Sequence, residues 1–179
     1  MRPDDLNIIS IDPSMRSSGV VTFRGEAMRS AAFQSKAERI DLLAWYLAKF
    51  SKIAKNTPWD LCIIEEYTFH NAQSRSVTIQ AEVGGIIRAC FAAYGVPILE
   101  VNTQTWKAIT KMRLPKTSVY DKSQYLNHVK AQFGLSFKTT DEADAYMMYW
   151  SVCECSRGHF VKGVGSKIRT RLEELGIEL

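Results

Sequence analysis

Two apolar runs of strand length each end in a carboxylate: Asn7 to Asp12, which reads NIISID, and Trp59 to Glu65, which reads WDLCIIE. The second is interrupted only by Asp60. A run apolar at both alternating sets of positions fits a central strand buried on both faces, which demands a layer on either side of a sheet. The first run is its expected neighbour. Two more strands follow it, Gly19 to Phe23 and Met28 to Phe33, with Pro13 closing the first strand and Arg24-Gly25 supplying a tight turn. Three strands with such short connections form an antiparallel meander. Ser35 then offers a cap for a helix running to about Lys55, with Ile40, Leu43, Leu47 and Phe50 recurring at helical intervals as its buried face.

Beyond Glu65, a polar connection from His70 to Ser76 leads into a helix to about Ala93, where Gly84-Gly85 points to close packing. Val96 to Val101 reads as a fifth strand, Thr103 to Ile109 as a short helix, and Pro115 breaks the chain before a helix from about Ser118 to Phe133. Thr139 and Thr140 open an acidic helix, and Thr139 with Glu142 makes a capping box. The order βββαβαβα predicts an α/β protein: a five-stranded mixed sheet, three strands antiparallel and two parallel, flanked by helices on both faces. A length of 179 residues suits one domain spanning 1–179, with 158–179 a charged C-terminal segment.

Several classes are disfavoured by composition. No apolar stretch approaches the ~18 residues of a membrane helix, so no membrane partner is expected. The start, MRPDDLN, is acidic and polar, unlike a secretory signal, which makes the cytoplasm the expected compartment, that of the host for a phage-encoded chain. Cys62, Cys90, Cys153 and Cys155 lack the paired spacing of a zinc site and read as buried free thiols. The formal net charge of +4 is unevenly spread: Gln104 to Lys138 carries seven basic residues and one acid, leaving the rest of the chain net −2. That basic block is interleaved with Trp106, Tyr120 and Tyr125, which suits a phosphate backbone with bases or sugars nearby.

Asp12 and Glu65 end strands, and sites in sheets of this kind form at strand carboxyl ends. Asp141 and Asp144, spaced i, i+3, share one face of the acidic helix. Asp144 lies amid Ala143, Ala145, Tyr146 and Met147, where an unpartnered acid is costly. Glu142 is explained by the cap and Glu66 by a solvated strand end. Four carboxylates at one point would repel and raise at least one pKa, so the cluster makes sense chiefly as a site for hard cations such as Mg²⁺ or Mn²⁺. Two such ions ~3.5–4 Å apart support phosphodiester hydrolysis.

These residues resemble the RuvC family of Holliday-junction resolvases, nucleases of the RNase H-like fold. IDPSMRSSG is similar to the family's opening Asp-Pro-Gly-Ser-Arg-x-Thr-Gly, with Asp12, Pro13, Arg16 and Gly19 in place and Ser14 replacing a glycine. IIEEYTFHNAQSRSVTIQAEVGG resembles the Ile-Glu-Gln segment and the long helix after it, and Asp-Glu-Ala-Asp-Ala resembles Asp-Ala-Ala-Asp-Ala. QTWKAIT and YDKSQYLNHVK are similar to the segments that carry two family lysines. The resemblance implies Asp12, Glu65, Asp141 and Asp144 as ligands of two Mg²⁺ or Mn²⁺ ions, with Lys107 and Lys122 on the scissile phosphate. It implies a junction wedge at Thr68, where this chain offers the neighbours Tyr67 or Phe69 instead. Arg16, Lys111, Arg113 and Lys116 complete the expected DNA-binding set.

The expected activity is therefore structure-selective endonucleolytic cleavage of four-way or branched DNA by paired symmetric nicks, with in-line attack leaving 5′-phosphate and 3′-hydroxyl ends. Symmetric cutting needs two sites at fixed separation, hence a homodimer, with the Ser76 to Ala93 helix as the candidate interface. Two other readings compete: an RNase H-like nuclease acting on structured RNA or hybrid, and a non-catalytic branched-DNA-binding protein. Asp12 to Val21 also resembles a phosphate hairpin of actin-like ATPases, but the chain lacks the second hairpin and lobe that fold requires.

Overall fold

The computed structural model describes residues 6–66, 75–110, 122–159, 163, 165–177 and 179. Strands β1 (Asn7–Asp12), β2 (Ser17–Arg24) and β3 (Ala27–Gln34) form the meander, and helix α1 (Arg39–Asn56) leads to β4 (Leu61–Glu66). Helix α2 (Arg75–Ala92), strand β5 (Ile98–Asn102) and helices α3 (Thr103–Ile109), α4 (Lys122–Phe133), α5 (Thr140–Ser156) and α6 (Gly165–Glu174) follow. The sheet order is β3-β2-β1-β4-β5, antiparallel from β3 to β1 and parallel from β1 to β5. The expected mixed five-stranded sheet is present.

Alternation along the central strands explains their nearly continuous apolar sequence. Ile8, Leu61 and Ile63 pack on the face covered by α3 to α6, whereas Ile9, Ile11, Cys62 and Ile64 pack on the face covered by α1 and α2. Asp60 stays outside β4 because its carboxylate accepts the Asn7 amide at 2.7 Å, holding the start of β1 against the entry to β4. All four cysteines are buried free thiols.

Two expectations for α1 are corrected. Ser35 does not cap it; its hydroxyl accepts the Ala37 amide at 3.1 Å in a local turn, and the helix starts at Arg39 after an N-cap, Glu38, that makes no side-chain cap bond. The buried face is Leu42, Tyr46, Phe50 and Ala54, while Ile40 is 70% and Leu47 51% exposed. Tyr46 decides the rotation. Its hydroxyl donates to the Ser14 carbonyl at 2.7 Å and bonds Ser18 Oγ at 2.9 Å, so this row must face the sheet.

The charged terminal segment contains a helix that its composition conceals. In α6, Ile168 and Leu172 enter the core one turn apart, while Arg169–Glu173 and Arg171–Glu174 ion pairs cover the outer side. Leu172 is 1% exposed, so Leu172→Ala is expected to cost ~2–5 kcal/mol in urea unfolding. A loss below ~0.5 kcal/mol, the range of surface substitutions, would contradict a structural role for α6.

Candidate active site

In the parallel pairing of β1 with β4, Ile11 lies opposite Ile64, and Asp12 and Glu65 come one step further along each strand. Strand alternation places both on the face of Ser10 and Ile63, the face that α5 covers. Ser10 fixes the helix there by donating to the Ala145 carbonyl at 2.7 Å, a fully buried bond.

The start of α5 is brought onto the sheet by a glycine. Gly19 pairs with Asp12 across β1 and β2, and a Cβ at Gly19 would stand 1.9 Å from the Asp141 carbonyl oxygen. No side chain fits that gap, so the missing Cβ is what lets the first turn of α5 rest on β2 beside Asp12. The turn itself is held by the expected capping box: Thr139 Oγ1 accepts the Glu142 amide at 3.2 Å, and the Glu142 carboxylate accepts the Thr139 amide at 3.0 Å. Glu142, 2% exposed, also accepts the Lys138 amide, so its role is structural. Glu66 is exposed.

Asp12, Glu65, Asp141 and Asp144 consequently sense one another. Burial, followed by the charges of Glu65, Asp144 and Asp141, raises the Asp12 carboxyl well above the usual carboxylate range. Burial is the main cause that pushes Asp144 up to about 6; Glu65 and Asp141 add to it, while the Tyr125 hydrogen bond and the Lys107 charge oppose it.

Neighbouring donors occupy these acids. Thr103 Oγ1 donates to Glu65 Oε1 at 2.6 Å, Trp106 Nε1 reaches the same oxygen at 3.4 Å, and the Tyr125 hydroxyl donates to Asp144. Among the described residues, no three acids converge tightly enough to hold one ion as they stand. The donor set nonetheless fits a hard divalent cation in kind: oxygen ligands only, from three elements, with an excess of negative charge that a cation would offset.

No family model matches the chain, and no curated protein matches it. Among solved structures, a Thermus thermophilus RuvC in complex with Holliday junction substrate superposes with a TM-score of 0.64 at 14% identity, covering 87% of this chain and 98% of that one. A second Thermus thermophilus RuvC structure gives 0.60 at 14% identity, with the same coverage. The fold is RuvC-like. A Fowlpox virus resolvase complexed with Holliday junction DNA is a more distant match, with a TM-score of 0.45 at 14% identity over 80% of this chain and 96% of that one.

Within the RuvC-like frame, the loop after Asp12 is clamped from two helices: Gln80 of α2 donates to the Pro13 carbonyl at 3.1 Å, and Tyr46 of α1 holds Ser14. Arg16 is exposed in that loop. Lys107 is exposed on α3, with its ammonium 5.1 Å from the centre of the Trp106 ring. Lys122 opens α4, with its side chain outside the described residues, where Tyr67, Phe69, Lys111, Arg113 and Lys116 also lie. Among the described residues, no helix is long and apolar enough to cross a membrane. Sequence reasoning missed the roles of Thr103, Trp106 and Tyr125. The one available signal was the predicted short helix directly after the fifth strand, which must bring its first residues close to the neighbouring strand end that carries Glu65.

Proposed function

We propose that this chain is a divalent-cation-dependent endonuclease that resolves four-way or branched DNA, with Asp12, Glu65, Asp141 and Asp144 as its cation-holding residues. The observation that carries the reading is the gathering of four carboxylates from β1, β4 and α5, at an electrostatic cost that the Tyr125 hydrogen bond and the Lys107 charge offset only in part. Bound Mg²⁺ or Mn²⁺, two ions per site, would supply Lewis acidity for phosphodiester hydrolysis.

The protein's own groups divide the remaining work. Lys107, whose charge already reaches Asp144, sits where a phosphate approaching the acids would meet it, and Lys122 supplies a second cation from α4. Thr103 and Trp106 orient Glu65, and Tyr125 orients Asp144, as hydrogen-bonding neighbours of ligands commonly do. Trp106→Phe removes one donor from Glu65 while keeping most of the buried ring. It is expected to raise the Mg²⁺ concentration needed for half-maximal cleavage by ~10-fold, with urea stability lowered by no more than ~1.5 kcal/mol. An unchanged Mg²⁺ requirement would contradict that role. Phosphate contacts from Arg16, Lys107, Lys111, Arg113, Lys116 and Lys122 would make junction affinity fall steeply with salt. Tyr67 or Phe69 serves as the junction wedge, and a homodimer through α2 presents two sites to one junction.

A substrate panel tests the function. A mobile four-way junction, the same sequence as linear duplex, an RNA–DNA hybrid and a structured RNA are incubated with Mg²⁺. The junction is expected to be cut at least ~10-fold faster than the rest, in paired nicks. Equal cutting of duplex and junction would overturn the selectivity, and preferential cutting of hybrid or RNA would replace the substrate class.

A further inference from the structure

On the sheet face opposite the carboxylates, an open cleft of about 490 Å³ lies between β2, β3 and α1. The β2–β3 register pairs Val20 with Ala31 and Thr22 with Arg29, so alternate residues of both strands, Arg24 and Phe33 among them, project to this one face. From α1, Lys49, Lys52, Ile53 and Asn56 follow helical spacing onto the same cleft. Four cations, Arg24, Arg29, Lys49 and Lys52, therefore rim one space, and none of the residues lining it is a carboxylate. Among the described residues, none of the four is ion-paired.

The floor is apolar and aromatic. Ile9 and Val20 are buried beneath it, and Trp59 and Phe33 form its walls. The Arg24 guanidinium already lies 5.3 Å from the Trp59 ring centre, and the Lys49 ammonium 4.8 Å from that of Phe33. Arg24 is further anchored by donating to Thr57 Oγ1. The volume lies in the ~300–1,000 Å³ range of small-ligand sites. An apolar aromatic floor under an unneutralised basic rim matches a flat ring joined to an anion, because such a molecule uses both surfaces at once.

We propose that this cleft binds a nucleotide, its base against Phe33 and Trp59 and its phosphate on the Arg24, Arg29, Lys49 and Lys52 rim. The nucleotide is either free or an unpaired residue of a DNA strand. The site stands apart from the carboxylates and holds whether or not they cut DNA.

Calorimetric titration at low salt in EDTA, which denies cations to the carboxylate site, tests it with deoxyadenosine monophosphate, deoxyadenosine, inorganic phosphate, laurate and a 5′-phosphorylated single-stranded tetranucleotide. The monophosphate is expected to bind at least ~10-fold more tightly than deoxyadenosine, phosphate or laurate, and to weaken at least ~10-fold in a folded Lys49→Gln/Lys52→Gln variant. Asp12→Asn is expected to bind it as the wild type does. A tetranucleotide preferred by ~10-fold or more over the monophosphate assigns the site to a DNA strand, and the reverse order assigns it to free nucleotide. The proposal is overturned by phosphate binding as well as the monophosphate, by laurate binding better, by indifference to the double variant, or by no binding of monophosphate or tetranucleotide at millimolar concentration.

Discussion

Gly19→Ala is expected to reduce junction cleavage by ~10²-fold or more, a loss of the size that accompanies a shift of about 1 Å in a reacting group. The added Cβ would stand 1.9 Å from the Asp141 carbonyl oxygen, and that obstacle is backbone, which cannot swing aside as a side chain can. Either the first turn of α5 lifts, carrying Asp141 and Asp144 away from Asp12 and Glu65, or β2 bends and pulls its partner β1 with it. Both displace the acids. Overpacking of this kind costs ~1–3 kcal/mol or more, so urea unfolding and cleavage should be measured on the same preparation. Wild-type stability together with cleavage within about threefold of wild type, a change of under ~0.7 kcal/mol, would show that the contact between β2 and α5 does not position the acids.

The second large effect is on stability without cations. Asp12 and Asp144 are both held above the ordinary carboxylate range, mainly by burial and with like charge adding to it. A group raised in this way stabilises the fold fully below its unfolded pKa, ~3.9, and that contribution is lost as pH rises through the folded value. For Asp144 the window runs from ~3.9 up to about 6. These groups therefore lower the stability of the cation-free protein at pH 7 relative to pH 4. Asp12→Asn keeps the shape and removes one charge from the cluster. It is expected to raise the melting temperature in EDTA at pH 7 by ~2–4 °C, equivalent to about 1 kcal/mol for a chain of this length. Millimolar Mg²⁺ should stabilise the wild type by linkage and the variant much less. A variant that melts lower than wild type in EDTA, or an equal response to Mg²⁺, would contradict a contribution of mutual repulsion to the shift.

Features encoded by local patterns were legible before the structure. Apolar runs of strand length marked β1 and β4 as neighbouring strands with Asp12 and Glu65 at their ends, and Thr139 with Glu142 announced the start of α5. One error and one unread feature each have a physical cause. Helix α1 carries two apolar rows, Ile40-Leu43-Leu47 and Leu42-Tyr46-Phe50, and spacing alone does not choose between them; the buried hydroxyl of Tyr46, bonded to Ser14 and Ser18, does. In α6, ion pairs masked a short Ile168–Leu172 stripe. The residues that orient the acids were illegible for another reason. Trp106 and Tyr125 lie within or beside a basic block and look like nucleic-acid contacts, yet they are buried and bonded to Glu65 and Asp144, a relation created only when α3, α4 and α5 pack together.

In the proposed function, the four carboxylates act as one cation-dependent site for cutting branched DNA. The most direct measurement incubates a mobile four-way junction with Mg²⁺ and either the wild type or Asp12→Asn, scoring binding by gel shift and products on a denaturing gel. Paired nicks at symmetric positions are expected from the wild type, and junction binding without nicks from the variant. Cleavage by Asp12→Asn at the wild-type rate, or wild-type cleavage that continues in EDTA, would contradict it.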